Sequence, residues 1–251
     1  MMTKLLLAVL AACLFLAAAS AQAQPVDNGL FAHVLAKHVR DGNVDYSGLK
    51  ADPSKLDAYL AQLAAADLPS LPERERFAMY INLYNAATIR LILDHFPVAS
   101  IRDIRSIGGL FGSPWKLPVV RTRAGTITLD ALEHEILRKQ FKDPRLHAAI
   151  NCASKGCPPL ASEPYESSRL DEQLDRASRA FVHTPDRARL ARDTLFVSAI
   201  FDWFEADFGG ADGVIAFVLR HSDPSFRDSL AAHGGKVKLK YLPYDWSLNG
   251  S

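Results

Sequence analysis

Residues 73–96 read ERERFAMYINLYNAATIRLILDHF, with Pro72 immediately before them and Pro97 immediately after. Proline is tolerated at a helix start and cannot continue a helix, so the two prolines bracket one long helix. Phe77, Ile81, Tyr84, Thr88 and Leu91 share one face, and Ala78, Asn82, Asn85, Ile89 and Ile92 share another. A helix apolar nearly all round is buried on all sides, so the remaining chain must wrap it. Asn82 and Asn85 then fall inside, where side-chain amides need partners. Two readings stand: they hydrogen-bond neighbouring loops, or one of them lines an active pocket.

Toward the N-terminus, a helix is expected over residues 28–40, with Leu30, Phe31, Val34 and Leu35 inward and Asp41-Gly42-Asn43 as its stop. Val44-Asp45-Tyr46 reads as a short extended piece. Asp52-Pro53 opens another helix with Leu56, Tyr59, Leu60 and Leu63 at helical spacing. Toward the C-terminus, residues 100–118 form a loop with Gly108-Gly109, Gly112 and Ser113-Pro114-Trp115. Long loops of this kind are often functional or mobile, and this one matches no phosphate-binding fingerprint. Residues 117–122 and 126–129 read as a hairpin, followed by a helix over 129–141 with Leu132, Ile136 and Leu137 inward. Glu133 leans toward that apolar face, and His134 reads as a surface imidazole.

Residues 143–160, DPRLHAAINCASKGCPPL, carry Cys152 and Cys157. The short apolar run Leu146 to Ile150 between breakers reads as a buried strand that delivers Asn151 and Cys152 into a loop. Beyond it, a helix is expected over 170–181, a hairpin over 187–197 around Arg192-Asp193, and a short aromatic helix over 200–208. Two further helices follow over 213–221 and 223–232, then a half-exposed strand over 236–241. The expected fold is α+β, a single mostly helical domain with a modest, mainly antiparallel sheet.

The chain has 251 residues and a formal net charge of +1. Its start combines Lys4, an apolar run from Leu5 to Ala19 and Ala21-Gln22-Ala23, the pattern of a secretory signal peptide cleaved after Ala23. A lipobox-like Leu10-Ala11-Ala12-Cys13 is the rival reading, less favoured because apolar residues follow the cysteine. The expected organisation is a signal peptide over 1–23 and one domain over 24–251 in an exported, periplasmic or secreted protein. No other stretch reaches the roughly 18 apolar residues of a membrane span. No basic stripe with interleaved aromatics suggests nucleic acid as a partner. Oligomeric state is not legible.

In an oxidising compartment Cys152 and Cys157 are expected to pair. The competing reading is a free nucleophile, which requires a nearby cation or base to generate a thiolate. His147 is the local candidate, Glu133 or Asp245 could orient it, and Lys155 could depress a thiol pKa. His147, Cys152 and Cys157 lack zinc-finger or zinc-ribbon spacing, and there is no C-x-x-C or H-E-x-x-H, so no metal is expected. No cofactor is expected either.

Val44-Asp45-Tyr46, YINLYNAATIRLIL (80–93), LEHEILR (132–138), the cysteine loop and the terminal YDWSLN (244–249) together resemble the family called domain of unknown function 547. The resemblance implies an exported bacterial protein. That family is in turn loosely similar to papain- and transglutaminase-like cysteine hydrolases, an α+β group with the nucleophilic cysteine at the start of a central helix. Here the central helix carries Asn82 and Asn85 and no cysteine. Two functions are therefore carried forward. One is a binding module for a small molecule or peptide, its pocket built from Asn85, Glu133, His147 and the Gly108 to Trp115 loop, with Asn82, Trp115 and Asp245 as further binding candidates. The other is a thiol-dependent hydrolase or transferase acting on an amide or peptide bond, with Cys152, Cys157, His147 and Glu133 as its catalytic candidates.

Overall fold

In the computed structural model the long helix spans Glu73–His95, and every residue from Phe77 to Ile89 is buried. The structure describes residues 26–104, 112–233 and 237–251. The expected leader, the Gly108-Gly109 pair and the first residue of the expected last strand lie outside the described residues. Each fully buried Leu or Ile contributes roughly 1.5–3 kcal/mol, so the central helix is the main apolar anchor of the fold. Against it pack the helices Asn28–His38 and Ser54–Ala65, which meet through Phe31 and Tyr59, stacked at 4.9 Å.

The architecture is α+β and mostly helical. Among the described residues the named strands form three small sheets. Val39–Arg40 pairs with Asn43–Val44, and Val120–Thr122 pairs with Gly125–Ile127, both antiparallel. The third sheet joins Ala188–Ala191 and Thr194–Ser198 as the expected hairpin, then adds Lys238–Leu242 parallel to Thr194–Ser198. The parallel edge follows from the connection: helices Ala211–His221 and Pro224–Ala231 intervene, and a crossover returns the chain in its original direction. These strands and helices, with Leu170–Val182, enclose a second apolar cluster around Phe181, Phe201, Phe208 and Phe217.

Several local expectations change. Leu146 to Ile150 is not a buried strand: Leu146–Ala149 is one helical turn, and only Ile150 is extended. Asp143 Oδ1 accepts from Arg145 N–H at 2.9 Å, and Asp143 and Pro144 carbonyls accept from Leu146 and His147 N–H at 3.0 and 3.2 Å. The Asp-Pro pair thus starts a turn of helix, and a run this short has no readable period of its own. Tyr46 is not extended but opens the helix Tyr46–Ala51, capped by Asp45, whose Oδ1 accepts from Gly48 N–H at 2.8 Å. The expected 200–208 helix breaks at Phe204 into Ala199–Trp203 and Glu205–Phe208. The helix after the first hairpin holds a π turn over Leu132–Leu137, in which Arg138 N–H reaches the Glu133 carbonyl.

The C-terminal segment binds these parts together. Lys155 and Gly156 N–H donate to Ser247 and Asp245 carbonyls, each at 2.8 Å. Leu248 N–H donates to Ala99, and Val44 N–H to Asn249, at 2.8 and 2.9 Å. The cysteine loop is therefore one edge of a backbone ladder whose other edge is the chain end.

Candidate functional site

The two asparagines of the central helix act as backbone clamps. Asn85 Nδ2 donates to the Ala149 carbonyl at 3.0 Å, and its Oδ1 accepts from Asn151 N–H at 2.8 Å. Asn82 does the same one turn earlier, donating to the Tyr165 carbonyl at 2.9 Å and accepting from Tyr165 N–H at 2.8 Å. Neither lines the pocket described below. Both amides are spent on holding the ends of the segment that contains the cysteines, which corrects the expectation of Asn85 in a pocket wall.

Asn151 continues the relay into the loop. Its Nδ2 donates to the Pro158 carbonyl and its Oδ1 accepts from Ala153 N–H, both at 2.8 Å. Ala153 sits at φ 58°, a left-handed conformation that costs a non-glycine residue about 1–3 kcal/mol and persists only where the surroundings impose it. Within this frame the Cys152 and Cys157 sulphurs lie 2.08 Å apart, at disulfide distance. Cys157 is buried and Cys152 half-buried. Cys152 N–H donates to Cys157 Sγ at 2.9 Å, and Tyr244 Oη lies 3.0 Å from Cys152 Sγ and 3.1 Å from Cys157 Sγ. Ser154 Oγ is 2.7 Å from Tyr244 Oη. Gly156 allows this approach, because a Cβ there would fall 2.8 Å from the Tyr244 ring. Burial, the largest influence, pushes the Tyr244 hydroxyl up, so it stays protonated and donates.

His147 is 3% exposed, and its Nε2 lies 2.7 Å from Asp207 Oδ2. Arg138 closes on the same carboxylate from the other side, Nε to Oδ2 at 2.5 Å and Nη2 to Oδ1 at 2.8 Å. The His147 hydrogen bond, followed by that of Arg138, holds the Asp207 carboxyl well below the usual carboxylate range. Phe204 stacks on His147 at 4.1 Å and carries the Arg138 guanidinium 4.8 Å from its ring centre. The group that orients His147 is thus Asp207, not Glu133 or Asp245. Asp245 folds back on its own chain, accepting from Ser247 N–H and Oγ at 2.9 and 2.6 Å, and lies outside the pocket.

A pocket of about 240 Å³ opens between these groups. Glu133, His147, Cys152, Cys157 and Trp115 line it, together with Tyr84, Asp130, Trp203, Phe204, Tyr244 and Trp246, among others. Glu133 is buried and accepts from Tyr84 Oη through Oε2 at 3.0 Å. The π turn carries this carboxyl, and π turns inside α-helices often mark functional positions. Trp246 is the hub of the aromatic wall, with ring centres 4.4 Å from Tyr244, 5.6 Å from Trp203 and 5.9 Å from Trp115. Trp203 is 47% exposed, an apolar ring left at the rim. Among the described residues no group of three or more His, Cys, Asp or Glu side chains could hold a metal ion.

Residues 68–182 match the family model described as Protein of unknown function, DUF547. No curated protein and no solved structure matches the chain. The DUF547 segment contains the central helix, Glu133, His147 and the cysteine loop. It ends before Trp203, Asp207, Tyr244 and Trp246, so the second half of the pocket comes from beyond the matched segment. Sequence reasoning placed Glu133, His147, Trp115 and both cysteines as candidates, and all five line one pocket. It missed Asp207, Arg138, Tyr84 and Tyr244. The aromatic run Phe201, Trp203, Phe204 was one available signal, since large rings concentrated in a short helix seldom all reach a core: Phe201 is buried, Phe204 half-buried and Trp203 exposed.

Proposed function

We propose that the protein is an exported binding module whose pocket beside the Cys152–Cys157 pair takes a small molecule or peptide. The observation that carries this reading is the pocket wall: Trp115, Trp203, Phe204, Tyr244 and Trp246 face the Glu133 and Asp130 carboxyl groups across one cavity. Apolar walls with a few convergent polar groups are the general form of ligand sites. Arg138, on the His147 side of the pocket, is already matched by Asp207. A ligand with an apolar body and an amine end fits such a pocket, because rings attract cations and carboxyl groups accept from them. Phenethylamine, titrated against tryptophan fluorescence, is expected to give saturable binding that Glu133→Gln weakens about tenfold. Phenylacetate should bind more weakly. Absence of saturable binding by either probe sinks the reading.

A thiol-dependent hydrolase or transferase is the second reading, favoured by one observation. His147, held by Asp207, shares the pocket with both sulphurs, as a base and its orienting group do in cysteine hydrolases. This reading requires the pair to be reduced. Hydrolysis of an amide or ester by reduced protein, abolished by one Cys→Ser change and by His147→Ala, supports it; equal inactivity of all forms removes it.

Export is supported by the leader-like start and by the cysteine pair, since disulfides persist in oxidising compartments. Among the described residues no helix is long and apolar enough to cross a membrane. Intact mass of protein taken from the cell envelope decides it: a chain starting at Gln24 is the expected result, and retention of Met1 or acylation at Cys13 overturns it.

A further inference from the structure

We infer that the Cys152–Cys157 disulfide is exchange-active: a low-molecular thiol bound in the pocket forms a mixed disulfide with Cys152 and expels Cys157 as a thiolate. The inference deepens the binding reading, on which it rests for ligand access. The two sulphurs are not equivalent. Cys152 is half-buried, whereas Cys157 is 2% exposed, so an entering thiol meets Cys152 first.

The backbone donor, in turn, favours negative charge on Cys157. Its Sγ receives Cys152 N–H at 2.9 Å, whereas the two hydroxyls reach both sulphurs: Tyr244 Oη lies 3.1 Å from Cys157 Sγ and 3.0 Å from Cys152 Sγ, and Ser154 Oγ 3.7 and 3.4 Å. Arg187 adds positive charge next to the loop, donating through Nε and Nη2 to the Cys157 carbonyl at 3.1 and 2.7 Å and through Nη2 to the Lys155 carbonyl at 2.7 Å. A disulfide sulphur carries no hydrogen, so a hydroxyl bonded to it is the donor, and the Tyr244 and Ser154 hydroxyls, 2.7 Å apart, divide two protons between each other and the sulphurs. A backbone N–H, a hydroxyl and a neighbouring guanidinium are the surroundings that lower a thiol pKa, and a lower leaving-group pKa speeds exchange. A pair kept only as a structural clip needs none of these donors.

The step balances without an external oxidant. The ligand thiol loses its proton to solvent, and its thiolate attacks Cys152 Sγ. The ligand-sulphur to Cys152 bond forms as the Cys152–Cys157 bond breaks, and the bonding pair leaves on Cys157 Sγ. That thiolate stays between Cys152 N–H and Tyr244 O–H. A second equivalent of thiol can then attack the ligand sulphur, releasing the ligand disulfide and leaving the protein dithiol. The protein disulfide is the two-electron oxidant.

The test incubates the full chain in its oxidised form with cysteamine at neutral pH. Samples are quenched in acid, free thiols are alkylated, and the products are mapped by mass spectrometry. The expected result is cysteamine on Cys152 and alkyl label on Cys157. In Tyr244→Phe, which keeps the ring against Trp203 and Trp246 but removes the hydroxyl, adduct formation should slow by about threefold. Adduct on Cys157, adduct only after addition of denaturant, or an unchanged rate in Tyr244→Phe overturns the inference. Phenethylamine binding is measured on the same samples. Binding without exchange removes this inference alone, and exchange without amine binding removes the amine-binding reading alone.

Discussion

His147 Nε2 and Asp207 Oδ2 meet at 2.7 Å across 60 residues of chain, joining the segment that holds the cysteines to the aromatic segment that forms the far pocket wall. Asp207→Asn keeps the shape but removes the charge that Arg138 and His147 both use. Charge-assisted hydrogen bonds contribute about 1.5–3 kcal/mol each, and partial exposure puts this pair at the low end. The expected loss at pH 7 is therefore about 1–3 kcal/mol, read from urea midpoints. Because the folded-state pKa of Asp207 is depressed, its stabilisation is present above the ordinary carboxylate pKa and is lost as pH falls below it. The gap between wild type and variant should narrow below about pH 4. A gap that stays constant from pH 7 to pH 3 contradicts the assignment.

Asn85→Leu should lower stability by about 1–3 kcal/mol or more, because it strands the buried Ala149 carbonyl and Asn151 N–H together. Asn85→Asp retains an acceptor for Asn151 N–H but sets a second acceptor against the Ala149 carbonyl, so it should also destabilise. Thermal unfolding checks both variants, and a melting temperature unchanged in Asn85→Leu would count against the clamp.

His221 is buried against Phe217, ring centres 4.5 Å apart, and burial pushes its pKa down to about 4. A histidine depressed in the folded state stabilises fully above its unfolded pKa of about 6.5, and that contribution disappears as pH falls through the folded value. Lowering the pH from 7 to 4 should therefore remove roughly 2–3 kcal/mol through this residue. His221→Phe should flatten the stability profile across that window, as measured by denaturant midpoints at each pH. A profile with the same slope in the variant contradicts the prediction.

Cys152→Ser, Cys157→Ser and the double variant should be destabilised by the same amount, about 2 kcal/mol for so short a closed loop. One shared bond is lost whichever half is removed, so the single effects cannot add. Additive losses in the double variant would mean that each cysteine stabilises the fold on its own.

The sequence by itself determined the elements whose signals are local. Pro72 and Pro97 bracket the central helix, which ends at His95, and its apolar circumference already required complete burial. Arg192-Asp193 turns a hairpin that the structure reproduces. Helical period, proline geometry and turn chemistry act within a few residues, so they are legible without a fold. The burial of Asn82 and Asn85 was legible for the same reason, and the tertiary structure then decided between their two readings by giving each a backbone partner. It also decided what no spacing encodes. Leu146–Ala149 is too short for its own pattern to separate strand from helix, and hydrogen bonds from the preceding Asp-Pro turn settle it. The orienter of His147 is a carboxylate 60 residues away, chosen over Glu133 and Asp245 by the packing of the Glu205–Phe208 turn. The cysteine pair is what an oxidising compartment would lead one to expect, but the Tyr244 hydroxyl on both sulphurs is not legible in any spacing. That contact exists because the C-terminal segment pairs with the cysteine loop, a long-range association fixed by the whole fold.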